Sequence, residues 1–405
     1  MRRLFIALVL LAGPAWADSA DQVAIERGRY LAVAGNCTGC HMGPAGAFAG
    51  GRGIETPFGT INAANITADR ETGIGGWSTD DFARALGEGI APGGRHLYPA
   101  FPYVWYSNLT REDSDALHAF LRSVPPVRNI VDRDTLGFPF NIRAIMRGWN
   151  LMFFGAARLA PEPARSAEWN RGAYLVEALG HCAACHTPIN ALGGSRSSQP
   201  MAGGTLQGWF APNIGANAYE GIGGWSVDDV VRYLATGAND WTRASGPMAE
   251  VVENSTSRMT PADLRAIAVY LQDRPSRGVA AAPAPLAVGN VQMVTGAALY
   301  VDNCSACHRR DGQGVTGMIP ALAGNGVLVQ SGAETLVRVV IAGARSAATA
   351  AEPTAPAMPS FGWRLNDAQV ADVVTYMRNS WGNAAPAVTP DVVRGMRARL
   401  VPAGG

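Results

Sequence analysis

Three five-residue stretches of this chain have the residue types and spacing for chemistry, and they are alike: CTGCH at 37–41, CAACH at 182–186 and CSACH at 304–308. They hold every cysteine of the sequence, Cys37, Cys40, Cys182, Cys185, Cys304 and Cys307, so no thiol is left for a structural disulfide or a lone nucleophile. Two thiols followed at once by an imidazole form the attachment pattern of c-type haem: the sulfurs add to the two vinyl groups and the adjacent His reaches the iron. A redox dithiol has no use for a His after every pair, and a structural zinc needs a second ligand pair close by, whereas these pairs are widely separated along the chain. The expectation is three covalently bound c-type haems, with His41, His186 and His308 as proximal axial ligands.

A six-coordinate haem needs a ligand on the opposite face, and methionine sulfur there raises the potential. The third motif is followed by Met358 in APAMPSFGWRLND and the second by Met248 in SGPMAEVVENST, with Met318 and Met259 as the competitors. No Met stands in the corresponding loop after the first motif, where GRHLYPAFPYVWYSNLT has Phe101 and Leu109. That loop offers His96, which precedes the helix signal at Thr110 by nearly the interval separating Met248 from Thr260. Ligation by His96 would lower the potential of this haem relative to its Met-ligated neighbours. The alternatives are Met42, Met146, Met152 or an open iron, and an open iron would make the chain a haem enzyme or a protein reactive to gases and peroxide. His118, inside a helix, and His181, just before a motif, read as structural.

The elements that must position these residues recur three times. Each motif follows a helical segment carrying a Gly and a Tyr: Gly28 and Tyr30, Gly172 and Tyr174, Gly296 and Tyr300. A Gly there lets a second helix cross closely. Each unit closes with an amphipathic helix announced by a cap, Thr110 with Asp113, Thr260 with Asp263, and Asn366 with Gln369. The first two units also share GIGGWS at 73–78 and 221–226, each preceded by an Asn-Ile pair and followed by an acidic-capped helix, which is the mark of duplication. Trp77 and Trp225 read either as haem walls or as plain core. The third unit lacks this insert. The boundaries expected are a first domain 18–126, a connection 127–167, a second domain 168–279, a Pro/Ala linker 280–290, a third domain 291–382 and a tail 383–405. Within the connection, 138–159 is aromatic-rich without clean periodicity and reads as packing between domains or as a surface for a partner or membrane.

Composition bounds the rest. A chain of 405 residues that is 48% hydrophobic can bury a core in each of two or three domains. A net charge of +1, with no basic run, excludes a nucleic-acid footprint; all 33 basic residues are Arg. Residues 1–17 read as a secretory signal peptide, with Arg2 and Arg3, an apolar run from Leu4 to Ala12, and a small-residue site at Ala15-Trp16-Ala17. Haem would then be attached in the periplasm, and no later apolar run is long enough to span a bilayer.

With these motifs, and with GRHLYPAFPY, SAEWNRGAYLVEALGHCAACHTP, GPMAEVVENST, APAMPSFGW and ADVVTYMRNSWGN, the chain resembles the triheme cytochrome c subunits of bacterial membrane-associated dehydrogenases over nearly its whole length. The resemblance implies an all-α fold of three tandem class I cytochrome c-like domains, with long loops around covalent haem. It implies an electron-transfer subunit, not itself an enzyme. Electrons would pass from a partner catalytic subunit, an FAD-containing alcohol, gluconate, sorbitol or fructose dehydrogenase or a molybdenum hydroxylase, to ubiquinone or another respiratory acceptor. His41, His186, His308, Met248 and Met358 carry over as axial ligands. Phe101 departs from the family pattern, which commonly has Met in YPAMPY, and leans the reading towards the molybdenum-hydroxylase branch. Peripheral membrane association is also implied. The C-terminal VTPDVVRGMRARLVPAGG contains one short amphipathic helix, which reads as an interfacial anchor or as a docked tail.

Overall fold

The computed structural model describes residues 15–132, 134–155, 158–274 and 282–400. The expected signal peptide lies outside the described residues except for Ala15–Ala17, which begin the helix Ala15–Ala34; residues 280 and 281 of the linker and the last five residues of the tail also lie outside. The chain is largely helical, and among the described residues its loops carry four small antiparallel sheets that the residue pattern does not announce. The largest has three strands, Gly53–Thr56, Gly59–Asn62 and Thr135–Leu136.

Three helix crossings organise the chain, and each is made at one of the glycines singled out above. The helix Ala15–Ala34 meets Arg111–Ser123 where a Cβ on Gly28 would stand 1.9 Å from the Ala116 carbonyl oxygen. Ala167–Tyr174 meets Pro261–Asp273 at Gly172, 2.0 Å by the same measure from the Ala266 oxygen, and Val291–Asn303 meets Asp367–Arg378 at Gly296, 2.3 Å from the Asp372 oxygen. Any side chain there would push the helices apart. The closing helices start where their caps predicted: the side chains of Thr110, Thr260 and Asn366 accept the amides of Asp113, Asp263 and Gln369. The two helices after GIGGWS, Thr79–Glu88 and Val227–Thr236, both open with a Ser-Asp capping box and stop at a left-handed glycine, Gly89 and Gly237.

The cores differ from the expectation of one per domain. Leu31, Leu117 and Phe120 of the first unit and Val176, Leu179 and Leu271 of the second belong to one buried cluster, while Val337, Val370, Val374 and Val393 form a separate core in the third. The reason lies in two tyrosines. The Tyr30 hydroxyl donates to Asp263 Oδ2 at 2.6 Å, and the Tyr174 hydroxyl donates to Asp113 Oδ2, so each leading helix is tied to the closing helix of the other unit. Each hydroxyl also accepts the amide of the cap threonine, Thr260 or Thr110, at 3.3 Å. Arg171 and Arg27 complete the pair on Asp263 and Asp113. Tyr300 does not take part. It follows its glycine by four residues instead of two, which turns it about 200° round the helix. It is buried and donates to the Arg309 carbonyl at 2.7 Å within its own unit.

The aromatic-rich connection packs against both of the first two units and leaves one apolar face exposed. On one face of the helix Met146–Phe153, Met146 and Trp149 are buried with Tyr98 and Tyr103, and Trp149 Nε1 donates to the Leu192 carbonyl beyond the second motif. On the other face Leu151 is 90% and Met152 61% exposed. The C-terminal helix Pro390–Leu400 is a docked tail: Val393 and Met396 are buried in the third core, and Arg397 donates to Asp367 and to the Gly362 carbonyl. The third unit meets the second through Phe210 with Thr335, Asn213 with Gln330, and Ala244 with Ala347.

Candidate haem sites

Each CxxCH motif lies just beyond its leading helix, in a short helical turn whose imidazole is held in one orientation. Nδ1 of His41 lies 2.7 Å from the Ala64 carbonyl, Nδ1 of His186 2.7 Å from the Pro212 carbonyl, and Nδ1 of His308 3.2 Å from the Pro320 carbonyl. A carbonyl only accepts, so Nδ1 carries the proton and the Nε2 lone pair is left for a metal. Burial lowers the pKa of all three rings and keeps them neutral, the form that ligates. The backbone of each His is fixed as well: the carbonyls of His41, His186 and His308 accept the amides of Gly50, Gly203 and Gly314, all three with positive φ. Sequence reasoning passed over these glycines and carbonyls. A signal for them was present, because the Asn-Ile pairs of the first two units directly follow Ala64 and Pro212. Asn65 and Asn213 close the turns there by accepting the amides of Thr67 and Gly215.

All six cysteines are free of disulfides. Burial pushes the thiols of Cys37 and Cys182 up to about 12 and that of Cys304 to about 11; Cys185 rises to about 11 through burial and then the nearness of Cys40. A redox dithiol requires the opposite shift. Among the described residues no group of three His, Cys, Asp or Glu side chains could hold a bare metal ion. Two neutral thiols and one neutral, oriented imidazole fit an iron that brings its own four nitrogen ligands in a porphyrin.

The first two motifs lie back to back. A Cβ on Gly35 would touch Leu179 Cδ1 at 3.2 Å, the His181 ring packs edge-on against Tyr106 with centroids 5.4 Å apart, and Tyr106 is buried beside both thiols of the first motif. His118 is buried and stacks on Phe82 at 5.0 Å, and Trp77 and Trp225 pack, half-buried, on the edge of the shared core.

The remaining site residues fall as follows. Met248 is in the first turn of the helix Pro247–Asn254, half-buried against the shared core. Met358 is half-buried against the third core, in a strand paired with Ala344. Met259 is buried beside the cap Thr260, and Met318 is 59% exposed. Met201, unremarked in the sequence, is fully buried, but its amide donates to Thr187 Oγ1, which places it on the His186 side of its loop. His96 is half-buried in a two-residue strand paired with Ile90; its Nε2 accepts from Arg147 Nε at 3.3 Å and its carbonyl from Arg143.

Comparison with known proteins agrees with this chemistry. The cytochrome c family model matches residues 293–381. The chain is 39% identical to the cytochrome c subunit of gluconate 2-dehydrogenase from Pantoea cypripedii, over 98% of this chain and 95% of that one. It belongs to the family of cytochrome c subunits of dehydrogenases. This cytochrome c subunit is also 39% identical to the cytochrome c subunit of alcohol dehydrogenase (quinone) from Gluconacetobacter polyoxogenes, over 94% of this chain and 86% of that one. To one of the subunits of nicotinate dehydrogenase from Pseudomonas putida it is 42% identical over 90% of its own length, but it spans only 31% of that longer protein. As a cytochrome c subunit it carries covalently bound c-type haem and transfers electrons.

Proposed function

We propose that this chain is a periplasmic triheme electron carrier, with haem attached at Cys37 and Cys40, at Cys182 and Cys185, and at Cys304 and Cys307. His41, His186 and His308 ligate iron from one side, and Met248 and Met358 ligate from the other in the second and third sites. The observation that carries this reading is the threefold recurrence of two unpaired thiols beside an imidazole whose Nδ1 is bonded to a carbonyl. The haem supplies a reversible one-electron couple. The protein's own groups orient the imidazole, keep it neutral and enclose the site in apolar packing. The domain boundaries are those read from the sequence, with the first two domains sharing a core.

The reading extends to partners. Electrons come from a dehydrogenase catalytic subunit, FAD-containing or a molybdenum hydroxylase, and leave to ubiquinone or another respiratory acceptor. The kinds of relative found, one of them named for a quinone, support this. Peripheral attachment to the periplasmic face of the inner membrane is supported by exposed Phe138, Leu151 and Met152; no helix among the described residues is long and apolar enough to cross a membrane. A pyridine haemochrome assay with mass spectrometry of the purified chain is expected to find three haems, one on each CxxCH peptide. A lower count sinks the triheme reading, and haems that no co-expressed dehydrogenase reduces in the presence of its substrate sink the assignment of partner.

A further inference from the structure

The first and second units repeat one backbone, so residues can be matched by hydrogen-bond register instead of by counting from a cap. The helices Thr79–Glu88 and Val227–Thr236 end at the left-handed glycines Gly89 and Gly237. The carbonyl of Gly89 then accepts the Leu97 amide, and that of Gly237 accepts the Ala244 amide, both at 2.7 Å. Four residues beyond these partners stand Phe101 in the first unit and Met248 in the second. At the far end of the loop Leu109 and Met259, both buried in the shared core, precede the caps Thr110 and Thr260. The register gives Met248 an aromatic counterpart with no lone pair for iron. His96, which pairs with Ile90, matches Arg243, which pairs with Ala238.

A second match strengthens the first. Phe48 and Met201 have φ of 62° and 60°, and their carbonyls accept the amides of Ile66 and Ile214. Of the three core methionines in the loops of the second unit, Met201 and Met248 are therefore matched by phenylalanine in the first and Met259 by Leu109. Of the other sulfurs weighed for this site, Met146 is buried with Tyr98, Tyr103 and Trp149 in a cluster on which Phe101 also packs, and Met42 and Met152 are 43% and 61% exposed. The Nε2 of His96 accepts from Arg147, while its Nδ1 is buried without a hydrogen-bond partner.

We infer that the haem at Cys37 and Cys40 has no protein ligand opposite His41, and that Phe101 lines a site there for a small neutral diatomic molecule of the carbon monoxide class. The inference rests on the assignment of covalent haem to the first motif. Ferrous iron with one imidazole and an open position binds carbon monoxide without any bond in the protein being broken, whereas thioether-ligated haems in the same chain resist it. The first unit is thus a ligand-binding site fused to a carrier.

The test uses the full holo chain, with its haem count fixed beforehand by pyridine haemochrome. After reduction, carbon monoxide is expected to change the spectrum with an amplitude corresponding to one haem in three. Phe101→Met is expected to abolish that change and to add a thioether-to-iron charge-transfer band in the oxidised spectrum. His96→Ala is expected to leave the carbon monoxide spectrum as it was. No spectral change in a chain bearing three haems overturns the inference while leaving the triheme assignment intact, as does carbon monoxide binding that appears or grows only in His96→Ala. Absence of haem from the Cys37–Cys40 peptide overturns both.

Discussion

Replacing Tyr30 by phenylalanine removes one oxygen and tests how the first two units are held together. The hydroxyl donates to Asp263 Oδ2 at 2.6 Å and accepts the Thr260 amide at 3.3 Å. The Asp263 side chain is only 12% exposed, so water cannot fully replace the lost donor. Hydrogen bonds to charged groups are each worth about 1.5–3 kcal/mol, and Arg171 remains on the carboxylate, so the cost is expected at about 2 kcal/mol. Tyr174→Phe should cost a similar amount through Asp113, while Tyr300→Phe, which loses a bond to a neutral carbonyl, should cost about 1 kcal/mol. Urea unfolding of the holo chain at neutral pH measures this. The pH dependence sharpens the test. Burial pushes the Asp263 carboxyl up, but Arg171 and then Tyr30 more than offset this, and it titrates below the usual carboxylate range. A carboxyl depressed in the folded state stabilises fully above its unfolded value of about 3.9, and the contribution is lost as pH falls through the folded value. The gap between parent and Tyr30→Phe is therefore largest near neutrality and shrinks below about pH 4. Equal urea midpoints at neutral pH, or a gap that widens in acid, would refute the interlock.

Three further outcomes follow from packing and ligation. Gly296→Val forces a side chain to within 2.3 Å of the Asp372 carbonyl oxygen and is expected to unfold the third unit selectively, with calorimetry showing loss of one transition; a melting profile indistinguishable from the parent's contradicts the close crossing. Met358→Leu keeps the volume but removes the sulfur, so a spectroelectrochemical titration is expected to show one haem moved to lower potential, and three unmoved potentials dismiss Met358 as a ligand. Trp149→Ala opens a cavity between the connection and the first unit and removes the bond to the Leu192 carbonyl; a loss of about 3–5 kcal/mol is expected in urea, and a loss under about 1 kcal/mol would mean that this helix is not a strut.

The parts of the fold that are local in sequence were readable from it. Caps declare themselves within four residues, as at Thr110, Thr260 and Asn366, and the CxxCH motifs carry their chemistry in five. The crossing glycines were legible because a steric demand for no side chain recurs at the same place in each unit. What the residues could not say was where the tyrosines beside those glycines point. Tyr30 and Tyr174 follow their glycines by two residues and Tyr300 by four, a difference written in the letters, but that it separates a hydroxyl reaching a neighbouring unit from one that stays at home needed the placement of the partner helices. Register in the loops was not legible either. The interval of His96 from Thr110 resembles that of Met248 from Thr260, while the hydrogen bonds at Gly89 and Gly237 align Leu97 with Ala244. The short strands escaped notice because two or three residues carry no periodicity.

The division of the apolar interior governs how the molecule can be cut. The third bundle has a separate main core and its own terminal helix as a cover, and meets the second through a small cluster of Ala347 with Ala244, Ala249 and Val252, so a cut in the stretch 282–290 opens little apolar surface. A cut between the earlier two exposes more, because the first and second units bury their side chains in one shared cluster. Gene fission, recombination or domain grafting in such a protein is expected to tolerate a cut before the third bundle better than one between the first two.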